Sequence, residues 1–184
     1  MITLRYFVPP DYQTLIQWVD SPAFLLQWAG FSFHYPLTEA QLEDYVKDAN
    51  HENATKLIFS VVHKETNDVI GHISLTKIDQ RNKSARIGRV LVGNERYRGQ
   101  GIGELMIEEI LKIAFNELKL HRICLGVFDF NLPAIACYEK AGFKKEGLLR
   151  DTCKHGETYW SQWEMCILEE EWNEQKRKSH LGVQ

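Results

Sequence analysis

The segment of residues 96–103, RYRGQGIG, places three glycines within five positions and two arginines just before them. A stretch with helical periodicity follows at once, although glycine is a poor helix former. The first amides of a helix have no partner within the helix, and the helix dipole is positive there, so a helix start attracts anions. Glycines let a phosphate approach the backbone closely. The segment therefore predicts a phosphate site at a helix start.

Two common nucleotide loops do not fit this segment. A Walker A loop requires a Gly-Lys pair, and no such pair occurs in the chain. A dinucleotide fingerprint, G-x-G-x-x-G, that starts at Gly99 would need glycine where Glu104 stands. The pattern that fits is R-x-x-G-x-G, formed by Arg98, Gly101 and Gly103. A nucleotide-dependent Rossmann enzyme is therefore disfavoured.

A second motif follows the next predicted strand. The pattern N-x-x-A/S-x-x-x-Y-E-K-x-G-F is met by Asn131, Ala134, Tyr138, Glu139, Lys140, Gly142 and Phe143. Together the two motifs resemble the GNAT superfamily of N-acetyltransferases, in which the first motif binds the diphosphate of acetyl-CoA. The segments LRYFVPPD and KKEGLLRD resemble its RimJ/RimL-like branch. The resemblance covers roughly the whole domain and is strongest over residues 87–151.

The resemblance implies which residues bind acetyl-CoA. A backbone amide at the end of the strand before the loop would polarise the thioester oxygen, which here means the region around Leu91 and Val92. Asn131 would bond the pantetheine, although a helix N-cap role is equally open. The implied cofactor-binding residues are Leu91, Val92, Arg98, Gly99, Gln100, Gly101, Ile102, Gly103 and Asn131. No metal is expected.

Tyr138 is the catalytic residue that the resemblance implies. The thiolate of CoA must be protonated as it leaves. A free thiol has a pKa of about 8.5 and tyrosine one of about 10, so a nearby tyrosine is a feasible proton donor. The structural alternative is an aromatic helix residue that packs on the sheet. Cys137 beside it is interpreted as a small apolar residue rather than a nucleophile, because no local base is evident.

The sequence assigns no general base to the acceptor amine. Many relatives carry a glutamate where this chain has Arg86. The remaining candidates are a water chain and the side chains of His72, Asp79, Glu95 and Asp151. Two interpretations of Arg86 and Arg89 stay open, namely solvated side chains or contacts to an anionic group of the acceptor. Four aromatic residues are placed where the family builds acceptor-binding loops, although core packing is the usual role of aromatics: Trp28, Phe31, Phe33 and Tyr35.

Hydrophobic periodicity predicts the elements that position these residues. Expected strands cover residues 2–8, 57–63, 69–78, 85–92 and 122–130, and a closing hairpin follows Gly142. Helices are expected after Asp11, after Thr38, after the glycine loop and over residues 132–142, whereas residues 21–38 are expected to be a loop or broken helix. The order β-α-α-β-β-β-α-β-α-β-β predicts an α+β fold, with a mixed, mostly antiparallel sheet flanked by about four helices.

Length and composition favour one globular domain. The chain has 184 residues and a net charge of -3, which does not indicate a nucleic-acid-binding protein. No signal peptide or membrane-spanning run is expected, so the predicted location is cytoplasmic, with the four cysteines reduced. The domain is predicted over residues 1–170, and a charged tail that frays from Glu169 is expected over residues 171–184.

The sequence therefore predicts an acetyl-CoA-dependent N-acetyltransferase that acts on a primary amine. The acceptor is a small molecule or peptide, with a protein N-terminus, an amino sugar and a polyamine all open. The expected assembly is a monomer or homodimer, without nucleic-acid or membrane partners. A non-catalytic acyl-CoA-binding regulatory module is the alternative.

Overall fold

The computed structural model describes residues 1–181, and side chains as far as residue 178. The strands are β1 (Ile2–Tyr6), β2 (Leu57–His63), β3 (Val69–Asp79), β4 (Ser84–Val92), β5 (Arg122–Phe128), β6 (Lys144–His155) and β7 (Thr158–Leu168). The helices are α1 (Tyr12–Trp18), α2 (Pro22–Ala29), α3 (Glu39–Val46), α4 (Ile102–Leu111), α5 (Leu132–Lys140) and α6 (Glu169–Leu181). A π-helical segment, Lys112–Glu117, extends α4.

One seven-stranded sheet has the order β1-β2-β3-β4-β5-β7-β6. Every neighbouring pair is antiparallel except β4 and β5, which are parallel. The predicted α+β fold with a mixed, mostly antiparallel sheet is therefore confirmed. Residues 1–181 contain six helices rather than about four, because α2 forms within residues 21–38 and α6 forms in the predicted tail.

The two missed helices have local causes. Ser21 caps α2 by accepting a hydrogen bond from the Phe24 amide, and Pro22 occupies its first turn. In α6, the buried indole of Trp172 packs against Phe115, so this helix is anchored to the core and the fraying expected from Glu169 is wrong. The predicted domain boundary after residue 170 falls inside α6 and stays a prediction.

The parallel pair β4 and β5 is short, and this feature creates the site. The two strands are in register only at Ser84–Arg122, Ala85–Ile123 and Arg86–Cys124. Beyond Arg86 the strands diverge, so the sheet opens towards the carboxyl end of β4. Parallel strands place their carboxyl ends at the same edge, where open α/β sheets often bind ligands.

The sheet separates two hydrophobic clusters. One cluster lies under α4, α5 and α6 and includes Ile87 and Met106. The other lies under α1, α2 and α3 and includes Leu42 and Leu91. Because side chains alternate along a strand, Ile87 and Leu91 should share a face in a regular strand, yet they belong to different clusters.

A β-bulge in β4 explains this change of face. Ser74 pairs with Gly88 and His72 pairs with Leu91, so two residues of β4, Arg89 and Val90, oppose one residue of β3. Arg89 has a φ of 52°, in the left-handed region. The bulge shifts the alternation by one position, and as a result Arg89 projects on the face covered by α1, α2 and α3.

The structure pairs two of the four cysteines. Cys124 of β5 and Cys166 of β7 are directly opposite in register and are joined as a disulfide, while Cys137 and Cys153 are free. The expectation of four free thiols is therefore wrong for this pair. The partners are 42 residues apart, and only the strand register brings them together.

Candidate active site

A cleft of about 870 Å³ occupies the gap where β4 and β5 diverge. Residues 87–92 line one wall and residues 125–128 line the opposite wall. Asn131 and Tyr138 of the α5 segment also line the cleft, as do Trp28, Phe33 and Tyr45 from the opposite face of the sheet. The cleft therefore connects the two faces of the sheet, with Tyr138 on one side and an aromatic group on the other.

The glycine loop follows directly on the end of β4. Gly99 and Gly101 have φ values of 73° and 76°, a backbone that disfavours any side chain. Gly101 is the N-cap of α4 and supplies no side-chain cap, whereas α2, α3 and α5 are capped by Ser21, Thr38 and Asn131. The uncapped start of α4 leaves its first amides available to an anion.

Arg98 attaches this loop to the end of the cleft wall. Its Nε donates to the carbonyl of Val92 at 3.2 Å, and Nη1 pairs with the Glu95 carboxylate at 3.1 Å. The Gln100 side chain donates to the Arg96 carbonyl and closes the loop on itself. These contacts hold the start of α4 beside the end of β4.

α5 packs against the first turn of α4. A side-chain carbon at Gly103 would lie in ordinary van der Waals contact with the Cys137 Sγ atom, at 3.5 Å, so the two helices are close neighbours here. Lys140 of α5 forms an ion pair with Glu104 of α4, with 2.6 Å between Nζ and Oε2. The two motifs of the sequence, which begin 33 positions apart at Arg98 and Asn131, thus lie side by side.

Tyr138 is 8% exposed, and its ring packs near Phe143. Among the described side chains and backbone groups, none forms a hydrogen bond with its hydroxyl. Burial raises the pKa of Tyr138, with a smaller contribution from the neighbouring Cys137 thiol, so the phenol stays protonated at working pH. This residue packs in the core cluster and also lines the cleft, and its role as an acid stays a prediction.

Asn131 and Cys137 take structural positions. The Asn131 side chain accepts a hydrogen bond from the Ala134 amide at 3.4 Å and so caps α5, while the residue also lines the cleft. Burial raises the pKa of the Cys137 thiol to about 11, and the nearby Glu104 carboxylate adds to the shift. The Cys137 sulfur is therefore a neutral thiol, which is a poor nucleophile.

None of the four side chains considered as bases lines the cleft. Within residues 1–178, the lining contains one carboxylate, Asp44, which the sequence did not single out. Arg86, at the position of the family's glutamate, forms a two-pronged ion pair with Glu164 of β7, including an Nη2–Oε2 contact of 2.9 Å. Arg86 is the last residue of β4 that is in register with β5, and the ion pair connects it to β7. Neither side chain of the pair lines the cleft.

The cleft face opposite Tyr138 is aromatic. Trp28 stacks on Phe33 with 6.0 Å between ring centroids, and the ring of Phe33 meets that of Tyr45 edge-on at 5.3 Å. The Tyr45 hydroxyl lies 3.2 Å from Nε2 of His72, which is buried behind it. Of the four aromatic residues predicted for the acceptor, Trp28 and Phe33 line the cleft, while Phe31 and Tyr35 are exposed outside it.

His72 should make the folded state sensitive to acid. Burial, and then the nearby Arg89 charge, lower the pKa of His72 to about 3, although Asp11 opposes the shift. Below about pH 6.5 the imidazole of His72 binds a proton in the unfolded chain but stays neutral in the folded chain, so the free energy of unfolding falls as pH falls. Between pH 6 and 4.5 the wild type should lose about 1.4 kcal/mol per pH unit more than His72→Gln, measured by urea unfolding.

The matched control is His34→Gln, which makes the same change at an exposed position. This variant should keep the pH dependence of the wild type. Equal slopes for the wild type and His72→Gln would contradict a buried neutral imidazole.

The structure brings together part of the predicted site. Leu91, Val92, Asn131 and Tyr138 line one cleft, whereas residues 98–103 form the loop that continues from its end. Sequence reasoning missed Tyr45 and Gln162, which also line the cleft. Gln162 of β7 lies over Gly126 of β5, where any side-chain carbon would lie 1.6 Å from its Nε2 atom. A glycine in a buried strand was the available signal for this close approach.

Comparison with known proteins gives a family match. The family described as acetyltransferase (GNAT) domain matches residues 1–144. The uncharacterized N-acetyltransferase p20 of Bacillus licheniformis is 39% identical over 151 residues, which are 82% of this chain and 83% of that protein. The uncharacterized N-acetyltransferase YnaD of Bacillus subtilis (strain 168) is 31% identical over 136 residues, or 74% of this chain and 77% of that protein.

A solved structure matches nearly the whole fold. It is the spermidine N-acetyltransferase from Vibrio cholerae in complex with CoA and spermine, with a TM-score of 0.80 and 23% identity. The match covers 93% of this chain and 97% of that chain. At this identity the likeness concerns the fold. Within residues 1–181, no helix combines the length and the apolar character that a membrane crossing requires.

Proposed function

The chain belongs to the GNAT acetyltransferase family and is an N-acetyltransferase that uses acetyl-CoA as its donor. We propose that it acetylates a primary amine directly, in the cleft between β4 and β5. A non-catalytic acyl-CoA-binding module is therefore not retained. In this proposal the diphosphate of CoA binds the loop of residues 98–103, and the pantetheine follows β4 past Val92 to the cleft. Tyr138 acts as the acid.

One observation carries the proposal. Tyr138, whose hydroxyl has no hydrogen-bond partner in the described structure, lines the same cleft as Leu91 and Val92. Arg98 fixes the uncapped start of α4 at the end of this cleft. The donor can therefore bind at one end, with its thioester between a strand edge and a phenol.

The proposed chemistry balances as follows. The lone pair of the neutral amine attacks the thioester carbon, a C–N bond forms, and the C–S bond breaks. Backbone amides of β4 beyond Arg86 face the diverging side of the sheet and stabilise the negative charge on the thioester oxygen. The sulfur takes the proton of Tyr138, the amine nitrogen loses one proton to solvent, and solvent restores the phenol.

Direct transfer should give kinetics without an acetylated enzyme. Because the pKa of Cys137 is raised to about 11, this thiol should not accept the acetyl group. Initial rates at varied acetyl-CoA and amine concentrations should give intersecting double-reciprocal lines, and thiol should be released only when amine is present. Mass spectrometry should find the acetyl group on the amine.

A matched pair of cysteine variants completes this test. Cys137→Ala and Cys153→Ala remove the two free thiols, and both variants should retain turnover within about threefold, because neither thiol takes part in the reaction. Parallel lines, together with an acetyl group on Cys137 of the intact protein, would overturn direct transfer.

We also propose that the chain belongs to the RimJ/RimL-like branch, on the strength of the LRYFVPPD and KKEGLLRD segments. A cytoplasmic location and a monomeric or homodimeric state stay predictions. The acceptor in this proposal is a small-molecule or peptide amine.

A further inference from the structure

Arg89 lies in the aromatic part of the cleft. The carbon of its guanidinium group is 4.5 Å from the ring centroid of Tyr45 and 5.4 Å from that of Phe33. Both rings and Arg89 line the cleft. Contact with two rings that stand at about right angles to each other restricts the guanidinium and lowers the entropy that a ligand contact would cost.

The charge of Arg89 has no carboxylate partner within residues 1–178. Its Nε atom is shielded from solvent and has no hydrogen-bond acceptor among the described residues. Arg86, three residues earlier on the same strand, shows the contrast, because Glu164 pairs with it at two atoms. A half-buried guanidinium without an anion is costly, so an anionic ligand would gain affinity there.

The neighbouring polar atoms are also donors. Nε1 of Trp28 is buried without a partner in the described structure, and an indole N–H can only donate. The hydroxyl of Tyr45 contacts His72 and also hydrogen-bonds with the Arg89 side chain, so the partner that Arg89 has here is neutral. Because its pKa is about 3, the His72 ring is neutral and cannot neutralise or repel a charged ligand. This end of the cleft therefore has an excess of donors over acceptors.

The charges around the cleft point the same way. The basic residues that line it within residues 1–178 are Lys56, Lys77 and Arg89, against the single carboxylate of Asp44. A polyamine carries several positive charges and would meet like charge beside Arg89. An acceptor with a negative group would meet opposite charge.

The backbone of Arg89 is itself strained. Arg89 has a φ of 52°, which a side chain disfavours relative to a right-handed conformation. Strain of this kind is often found where a side chain must be aimed at a ligand.

We propose that the acceptor is an amine that also carries an anionic group, a carboxylate or a phosphate, and that Arg89 binds this group while the amine faces the thioester. The inference rests on the proposed function, since the same cleft must hold the acceptor. Aromatic side chains around Arg89 further favour an acceptor with an apolar part. A polyamine is excluded as the preferred acceptor.

The test compares amines with and without the anionic group. The panel contains phenylalanine and phenethylamine, phosphoethanolamine and ethanolamine, and spermidine, each assayed for thiol release with saturating acetyl-CoA. We expect kcat/KM to be at least about tenfold higher for the amine with the anionic group than for its counterpart without that group. The phenylalanine and phosphoethanolamine arms separate a carboxylate from a phosphate ligand.

Substitution of Arg89 links the preference to this residue. In Arg89→Gln the ratio of kcat/KM between paired amines should fall about tenfold or more below the wild-type ratio, and comparing the two enzymes cancels differences in amine reactivity. The control Arg81→Gln makes the same change at an exposed turn and should keep the ratio. Arg89→Lys keeps the charge without the planar group and should keep part of the preference, which provides a second variant if Arg89→Gln does not fold.

The possible failures are distinguishable. The highest kcat/KM with spermidine or with an amine that lacks the anionic group, or an unchanged ratio in Arg89→Gln, would overturn the inference and leave the proposed function standing. Absence of thiol release with every amine, in protein that binds CoA by calorimetry, would overturn the proposed function and the inference together.

Discussion

Replacement of Tyr138 by phenylalanine should lower kcat about 100-fold, while the KM for acetyl-CoA changes less than about threefold. The variant removes one oxygen from a residue that already packs in the core cluster, so the ring and the fold should be retained. The proton for the leaving thiolate would then have to come from water. Steady-state kinetics with saturating acceptor measure the effect.

The pH profile gives this prediction a second readout. Because burial raises the pKa of Tyr138, ionisation of the phenol should not reduce kcat on the alkaline side below about pH 10. Tyr12→Phe is the matched control, since Tyr12 is also buried but lies in α1, outside the lining of the cleft. An unchanged kcat in Tyr138→Phe would remove Tyr138 from the chemistry and leave it a packing role.

The part of the site that the sequence predicts is the part that depends on residue type within a short segment. Glycines at 99 and 101 are needed because the backbone there is left-handed, and this requirement is visible in the sequence. Tyr138 could be singled out as a candidate because its motif surrounds it within residues 131–143. Such local requirements hold whatever the rest of the fold does.

The acceptor end of the cleft depends on long-range register instead. Simple alternation along β4 would place Arg86 and Arg89 on opposite faces, but the bulge at Arg89 changes the count by one. Glu164, which takes up the charge of Arg86, is 78 residues away. No local pattern distinguishes an arginine with a carboxylate partner from one without, so the two interpretations could be separated only by the structure.

α6 shows the opposite limit of sequence patterning. Its charged run EEEWNEQKRK has one large apolar residue, Trp172, which is too little periodicity to predict an amphipathic helix. α6 follows β7 directly, so the connection limits where this helix can go. The buried indole anchors it to the core, and ion pairs of Glu171 with Lys144 and of Lys176 with Glu108 attach it further.

Replacement of Gly101 by valine should raise the KM for acetyl-CoA about 10- to 100-fold, with kcat at saturating acetyl-CoA changed less than about threefold. Gly101 has a φ of 76°, which a β-branched residue strongly disfavours, although a side-chain carbon would meet no atom within 4 Å. The strain should rotate the loop and misdirect the first amides of α4. Hydrogen bonds to charged groups contribute about 1.5–3 kcal/mol each, and 1.4 kcal/mol is tenfold in affinity.

A matched glycine separates this effect from general strain. Gly156, in the turn between β6 and β7, has a φ of 59° and equally open surroundings. Gly156→Val should therefore lose a similar amount of stability in thermal unfolding, yet keep the wild-type KM and the wild-type affinity for CoA in calorimetry. Equal KM values in the two variants would mean that the loop of residues 98–103 does not hold the diphosphate. A rise in the KM for acetyl-CoA in Gly101→Val but not in Gly156→Val would place the negative charge of the donor at the start of α4. Of these two glycines, Gly101 is the one that precedes the uncapped amides of a helix.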